Sequence, residues 1–279
     1  AHKGVIGPGE ARLQLNRIAF HVATPALIFS SVAVSDTDAF FSPVILVIAV
    51  ATVLTMLIYW AISAVWFKQD AAETMAGAAS ASYYNSVNIG LPIATYVLGD
   101  PTYVIPALVL QMAVLSPIVI AGLDRGASGF VKSVLSGLTA PVVVAAFAGF
   151  AVSAASWQVP EPVLAPLEIL GGASIPLILM SFGASLTGEK VLQSHRLPTT
   201  TATALKLIGM PAVAWVVAKL LHLGPEETYA ALILCALPTA QNVYNYAATY
   251  RSGEVICRDT VFLTTFLALP AMLLIAGVF

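Results

Sequence analysis

The sequence predicts an all-α protein that crosses a membrane many times, and three observations support this prediction. Apolar residues make up 59% of the 279 residues and charged residues only 9%, whereas an average soluble domain has about 25% charged residues. The mean hydropathy is +0.90. Charge-free stretches such as 74–99 and 133–160 exceed the roughly 18 residues that span a bilayer. Because these stretches are continuously apolar, without the alternation of lipid-facing strands, they are predicted to be helices.

Nine membrane spans are predicted, and short loops rich in Pro, Gly, Asp and Glu separate them. The approximate bounds of the spans are 14–34, 42–67, 73–98, 102–123, 132–154, 162–187, 197–221, 227–250 and 260–279. Basic residues such as Lys68, Arg125 and Arg251 fall in alternate loops, whereas acidic residues such as Asp36 and Asp100 occupy the opposite loops. By the positive-inside rule the basic loops face the cytoplasm. The sequence therefore predicts a multi-pass protein of the inner (plasma) membrane whose C-terminus lies outside.

Two proline-centred patterns occur once in each half of the chain. Pro25 in the first span and Pro176 in the sixth are each followed by an apolar run and small residues. Pro92 in the third span and Pro238 in the eighth each follow a leucine. Copies that lie five spans apart run in opposite directions through the membrane, which is the inverted-repeat plan of many transporters.

Two five-helix repeats require ten spans, and the span that is missing from this plan is the first. The first repeat is therefore predicted over 1–125 without its first helix, and the second over 126–279. We expect a further helix ahead of Ala1, and a native nine-span protein is the alternative.

Polar residues accompany the prolines in the third and eighth spans. A proline frees backbone groups of a helix, and such groups are tolerated in a membrane where they line a cavity or are buried in protein. The N-terminus of a half-helix favours an anion, and side-chain amides add neutral donors for a carboxylate. The predicted substrate-binding residues at these breaks are Asn85, Asn88, Pro92, Pro238, Thr239, Gln241, Asn242 and Asn245. The alternative is a pair of proline kinks with amide hydrogen bonds between helices.

Lys206 is the basic residue that lies well inside a predicted span. A lysine at this depth is a candidate functional residue, either to balance a bound carboxylate or to couple transport to protons. The alternative is that its side chain extends to the cytoplasmic boundary. Lys206 is therefore included among the predicted substrate-binding residues.

Several classes of function are disfavoured by the sequence. It contains no HExxH, P-loop, GxSxG or dinucleotide-binding glycine motif, so an enzyme is not predicted, and transport without an ATPase must use a gradient. The net charge of −2 gives no basic footprint for nucleic acid. Cys235 and Cys257 have no metal-binding spacing, so they are predicted to be packed thiols.

Taken in order, these segments resemble the auxin efflux carrier family, which includes plant PIN proteins and bacterial permeases labelled malate or malonate transporters. The matching segments are 15–17 with 24–29, 85–92, 176–186, 206–211 and 236–240, and the resemblance extends in order over essentially the whole chain. The resemblance implies ten helices in two inverted repeats, with two broken helices that cross near the midplane. In plant members an asparagine seven residues before the first crossover proline helps to hold the substrate carboxylate, and Asn85 has that position relative to Pro92.

The sequence departs from the family pattern at two places. Family members commonly have Asn-Pro early in the first helix of the second repeat, where this chain has Ala140-Pro141. The segment from Asp124 to Lys132 is also too short for the long cytoplasmic loop of many plant members. The first difference weakens an assignment to auxin itself and leaves the class of small organic anions.

The predicted function is secondary active or facilitative transport of a small organic anion, such as malate, malonate or an auxin-like acid, by an elevator or rocking motion. One alternative is a sodium-coupled symporter of the bile-acid type, with sodium at Thr239, Gln241 and Asn242. Another is a membrane sensor with a transporter-like core. No cofactor is expected beyond sodium or a proton as coupling ion. The expected partners are the anion and the lipid bilayer, and the resemblance implies a homodimer.

Overall fold

The structure is a computed structural model, and it describes residues 10–34, 42–90, 93–98, 104–124, 138–185 and 190–279. Every regular element in these ranges is a helix, which confirms the all-α prediction for the part of the chain they cover. The α-helices are α1 (Glu10–Ile18), α2 (Thr24–Ala33), α3 (Pro43–Ile62), α4 (Ala71–Ser82), α5 (Val104–Val109), α6 (Ser116–Leu123), α7 (Pro141–Ala154), α8 (Glu161–Gly172), α9 (Ser174–Ser185), α10 (Arg196–Ala204), α11 (Met210–Leu220), α12 (Pro225–Cys235), α13 (Gln241–Tyr250) and α14 (Glu254–Ala276). Wider π-helical turns form the segments Ala19–Ala23, Ser63–Phe67, Ser86–Gly90, Ala94–Leu98, Leu110–Leu115 and Leu205–Gly209.

Four helical stretches among the described residues are long and apolar enough to cross a membrane, and three of them join more than one of these elements. They are Pro43–Phe67, Glu161–Ile178, Arg196–Leu220 and Glu254–Ala276. The segments Leu110–Leu123 and Pro141–Ala154 are shorter apolar helices. These helices agree with a multi-pass membrane protein, and the total of nine spans stays a prediction.

The chain forms two compact units, each assembled from separate stretches of sequence. Unit 1 comprises the described residues within Ala1–Thr37, Val109–Val191 and Tyr244–Ser252. Unit 2 comprises those within Asp38–Leu108, Leu192–Val243 and Gly253–Phe279.

In unit 1, α2 packs against α7 and α8. Small residues permit this close packing, because a Cβ atom at Gly171 would lie 2.7 Å from the Cα of Leu27. The hydroxyl groups of Thr24 and Ser174 are hydrogen-bonded at 2.7 Å. Thr24 directly precedes Pro25, and Ser174 lies two residues before Pro176, so the two copies of this sequence pattern contact each other.

In unit 2, α4 consists mostly of small residues and packs against α3 and α14. A Cβ atom at Gly77 would overlap the ring of Tyr59 on α3. On the α14 side, Ser80 Oγ donates a hydrogen bond to Cys257 Sγ at 3.4 Å. Cys257 and Cys235 are both free and buried, which confirms the prediction of packed thiols.

The last helix begins earlier than the predicted span, which was placed at 260–279. Helix α14 starts at Glu254 and includes Arg258 and Asp259, which the prediction left outside the membrane because they are charged. The Nε of Arg258 lies 2.8 Å from Asp259 Oδ1, and the other carboxylate oxygen accepts the backbone N–H of Leu192 at 2.8 Å. Pairing and hydrogen bonding offset the burial of both charges, so the helix can contain them.

Helix α7 begins at the position where the sequence departs from the family pattern. Ala140 is the residue before Pro141, and it provides no side-chain cap to the first turn. An asparagine at this position would supply an acceptor for a free backbone N–H. The substitution to alanine therefore removes a polar group from the start of this helix.

Candidate functional site

Two interrupted helices in unit 2 provide most of the predicted site. Helix α4 ends at Ser82, and Tyr83 adopts an extended backbone (φ −72°, ψ 142°). A π-helical segment, Ser86–Gly90, follows. The second interruption lies between Cys235, the last residue of α12, and Gln241, the first of α13. Pro238 lies in the middle of this gap, as expected for a residue without a backbone N–H.

Asn85 connects the two interruptions directly. Its backbone N–H donates to the carbonyl of Pro238 at 2.9 Å, and its Nδ2 donates to Gln241 Oε1 at 3.0 Å. Asn85 is 4% exposed and Gln241 is 8% exposed. The structure therefore brings together three residues that the sequence predicted separately.

Gly90 permits the close approach of the two segments. Its N–H donates to the carbonyl of Asn85 at 2.8 Å, which closes a turn behind the asparagine. A Cβ atom here would lie 3.0 Å from Leu237 Cδ1, so the side chain of Leu237 would have to shift to make room for it.

Thr239 stabilises the end of the first interrupted helix. Its hydroxyl donates to the backbone carbonyl of Ser80 at 2.7 Å. Ser80 lies in the last turn of α4, where carbonyls have no partner within the helix. The backbone N–H of Thr239 donates in turn to Thr264 Oγ1 on α14 at 3.0 Å. Thr239 therefore links the second interruption to both α4 and α14.

Lys206 stabilises the end of the second interrupted helix. Its amine donates to the carbonyl of Cys235, at the last position of α12, at 2.5 Å, and contacts Met210 Sδ at 3.3 Å. The side chain is 0% exposed, so the alternative in which it extends to the membrane boundary is wrong. A cation at a helix C-terminus is favoured by the helix dipole. In the part of the chain described here, no carboxylate pairs with this ammonium group.

The remaining predicted residues have different environments. Asn242 is half-buried, in the first turn of α13. Asn88 belongs to the segment Ser86–Gly90, but its side chain lies outside the described part of the molecule, as does all of Pro92.

Asn245 belongs to unit 1, where it forms a second polar cluster with Asn16. The Nδ2 of Asn16 donates to the backbone oxygen of Asn245 at 3.1 Å and to Thr249 Oγ1 at 3.0 Å. Asn245 is 1% exposed, and neither atom of its amide group has a partner among the described residues.

Sequence reasoning missed Ser80, Thr264 and Asn16 as contributors to these clusters. Ser80 acts through its backbone carbonyl, which no side-chain pattern reports. Thr264 lies in a strongly apolar span, and Asn16 lies close to charged residues, so neither was distinguished by its neighbours. Such residues are recognised by a hydroxyl or amide that faces a helix break. Only the fold shows which residues face the break, so the sequence alone could not identify them.

The cluster in unit 2 combines neutral amide donors, helix ends and one buried cation. The N-terminus of α13 begins at Gln241, so its partial positive charge is directed at the break. Asn85, Gln241 and Lys206 are hydrogen-bond donors, and an ammonium group favours negative charge nearby. Hydrogen-bond donors and an ammonium group are suited to negatively charged groups. Among the described residues no group of His, Cys, Asp and Glu could hold a metal ion.

Comparisons with known proteins find relatives that are named as transporters. The chain is 26% identical over 282 residues to a protein of Rhizobium meliloti (strain 1021) named "Putative malonate transporter", with 95% of this chain and 86% of that protein covered. It is also 26% identical over 123 residues to an uncharacterized transporter of Methanocaldococcus jannaschii, with 44% of this chain and 38% of that protein covered. The family described as "Membrane transport protein" matches residues 1–276. The chain therefore belongs to the membrane transport protein family, the auxin efflux carrier family that its motifs resemble.

Proposed function

We propose that this transporter is a secondary carrier of a small organic anion and that it holds a carboxylate of the substrate at the paired helix breaks of unit 2. The observation that supports this proposal most strongly is the contact of Asn85 with both Pro238 and Gln241. The two helix breaks contact each other through the buried amide of Asn85. Backbone groups freed by the breaks and side-chain hydrogen-bond donors therefore lie close together. Hydrocarbon offers such groups no partners, so this polarity favours a binding role.

Malonate is the first substrate to test. The relative from Rhizobium meliloti is named as a malonate transporter, and a dicarboxylate suits a cluster with neutral donors and one cation. Asn85 now donates its Nδ2 hydrogen to Gln241 Oε1. A substrate carboxylate would replace this acceptor and release Gln241, so that two amide groups face the anion. Lys206 would balance part of its charge.

The inverted-repeat architecture belongs to the same proposal. Within unit 1 the proline patterns meet through Thr24 and Ser174, which lie within one residue of equivalent positions when Pro25 is matched with Pro176. Residues close to an axis that relates two repeats lie near their own counterparts, so this contact supports related repeats. We propose ten helices in the full plan, an elevator or rocking motion, and a C-terminus on the outer side of the inner membrane. A homodimer stays a prediction from the family resemblance.

The Asn85→Ala variant is expected to lower malonate uptake into proteoliposomes at least about tenfold, because a lost hydrogen bond to a charged group corresponds to about 1.5–3 kcal/mol. Asn85→Asp is expected to lower it further, since a carboxylate of similar shape repels the anion. Thr52→Val is the control, because among the described residues the hydroxyl of this buried threonine bonds only to Ile48, within α3. Normal uptake by both Asn85 variants would contradict the proposed site, and uptake of no anion by the wild type would favour the sensor alternative.

A sodium-coupled mechanism is the second candidate, and the environment of Thr239 favours it. The hydroxyl of Thr239 donates its hydrogen to Ser80 and keeps its oxygen lone pairs, and Gln241 and Asn242 follow it closely in the sequence. Hydroxyl and amide oxygens are suitable ligands for a hard cation. Sodium coupling predicts that malonate uptake rises with sodium concentration at constant ionic strength, and that Thr239→Val removes this dependence. Uptake that is equal in sodium and potassium would exclude sodium as the coupling ion.

A further inference from the structure

We propose that unit 1 binds an internal water molecule at a pair of buried asparagines, Asn16 on α1 and Asn245 on α13. Each of the two residues is 1% exposed. They are separated by 229 residues in the sequence, so a water bound to both would join distant parts of unit 1. Neither asparagine belongs to the anion site proposed in unit 2, and the inference therefore goes beyond the proposed function.

Hydrogen bonds to α13 fix the orientation of the Asn16 amide. One atom of this amide lies 3.1 Å from the backbone oxygen of Asn245, and because a carbonyl oxygen only accepts, that atom is the nitrogen Nδ2. Nδ2 also donates to Thr249 Oγ1 at 3.0 Å, and the threonine hydroxyl donates in turn to the carbonyl of Asn245 at 2.8 Å. The other end of the amide, Asn16 Oδ1, is buried and has no partner among the described residues.

Asn245 adds an amide whose two ends both lack a partner. Neither its Oδ1 nor its Nδ2 is hydrogen-bonded in the part of the chain that the structure describes. This holds whichever end is the nitrogen, because both ends are equally without a partner. The large majority of buried polar side-chain atoms are hydrogen-bonded to protein or to ordered water. A molecule that is not part of the chain is therefore expected at this pair.

The mixture of donors and acceptors indicates which molecule is bound. The pair offers two oxygen acceptors and the N–H donors of Asn245 Nδ2. A carboxylate only accepts, so it would face both oxygens without a hydrogen to donate. A sodium ion would satisfy the oxygens and leave the N–H donors without an acceptor. Water both donates and accepts, and a buried water typically makes about three hydrogen bonds of this kind.

Aromatic side chains pack beside the two asparagines. Phe20 lies one helical turn after Asn16, and its ring packs edge-on against Tyr246 at 5.8 Å and against Tyr250 at 6.2 Å between ring centroids. The hydroxyl of Tyr246 is already hydrogen-bonded to that of Ser116 at 3.1 Å. The rings contribute to the burial of the pair, so a water held there is separated from bulk solvent.

Replacing Asn245 with leucine provides a test in which the sign of the effect decides. At an empty site, leucine would remove a buried amide without partners, and the melting temperature would rise. At an occupied site, leucine expels the water and leaves Asn16 Oδ1 without a partner. We therefore expect the melting temperature of Asn245→Leu in detergent to be lower than that of Asn242→Leu by about 3 °C or more. Asn242→Leu is the matched control, because Asn242 is a half-buried asparagine of the same helix.

Observation of the solvent gives a second measurement, which does not depend on how well leucine fits. An experimental structure of the full chain that resolves other buried waters should show a solvent peak within hydrogen-bond distance of Asn16 Oδ1 and of the Asn245 amide. Empty space at this position would overturn the proposal, and so would a melting temperature that is higher for Asn245→Leu than for Asn242→Leu. A wild-type melting temperature that rises with sodium but not with potassium, and an Asn245→Leu variant without this response, would identify a cation in place of water and would also overturn it.

Discussion

Replacing Lys206 with methionine is expected to lower malonate uptake into proteoliposomes at least about 30-fold. In the proposed site this lysine balances the charge of the bound anion, and removal of one partner from a buried charge pair costs about 2–5 kcal/mol of binding free energy. Methionine has a similar length and volume, so the loss would come from the missing charge. Lys219→Met, on the exposed end of the same membrane-crossing helix, is expected to leave uptake unchanged.

Thermal stability should change little in the same Lys206→Met variant. The carbonyl of Cys235 loses its hydrogen bond, at a cost of about 1–3 kcal/mol, but an ammonium group without a described carboxylate partner no longer has to be buried. The two effects offset each other, so the melting temperature is expected to shift by less than about 4 °C. A large fall in melting temperature with normal uptake would show that Lys206 is only a structural cap for α12.

The Gly77→Ala variant is expected to lose about 3 kcal/mol of stability, and its melting temperature should fall by roughly 10 °C. The added methyl group would overlap the ring of Tyr59, which is fully buried and bonded through its hydroxyl to Gln69 and Pro198. The ring cannot move aside without loss of these contacts. Thermal unfolding in detergent, followed by circular dichroism, measures the effect.

The chain offers a matched control for this overpacking. Gly172 ends α8, and a Cβ atom there would have no atom within 4 Å. Gly172→Ala should therefore be neutral or stabilise the protein by up to about 1 kcal/mol, as expected for alanine in a helix. A second substitution, Tyr59→Leu, should recover part of the Gly77→Ala loss. Equal stability of the two alanine variants would contradict the close packing of α3 and α4.

The features that were predicted correctly depend on local composition. Continuous apolar stretches identified an all-α membrane protein, and Pro238 identified an interruption that the structure places between Cys235 and Gln241. The depth of Lys206 in its span was also visible in the sequence, because no other charge lies near it. These are properties of short segments, and helix formation in a membrane is determined mainly within the segment itself.

The features that were not predicted depend on contacts between distant segments. Asn85 and Gln241 are separated by 156 residues, and Thr239 and Ser80 by 159, so no spacing indicates that they pair. The predicted span of 260–279 leaves out Arg258 and Asp259, because the sequence does not show that they neutralise each other inside α14.

The sharp turns at Lys68 and His195 could not be foreseen for a different reason. Both residues adopt a left-handed backbone, which residues other than glycine adopt in only a few per cent of cases, so the sequence did not indicate these turns. The π-helical segments also could not be predicted from the sequence, because the wider helical turn does not change the apolar composition of the stretch.

Because both native thiols are completely buried, they should not react with thiol-labelling reagents. Cys235 and Cys257 are each 0% exposed, and maleimides in water react with accessible thiolates. A single cysteine introduced at Lys68 or at Lys219 would then be the only reactive thiol. Lys68 follows the membrane-crossing helix Pro43–Phe67, and Lys219 lies near the end of the helix Arg196–Leu220. The side from which each position is labelled in intact cells would reveal the orientation of the protein, and no native residue would have to be removed first.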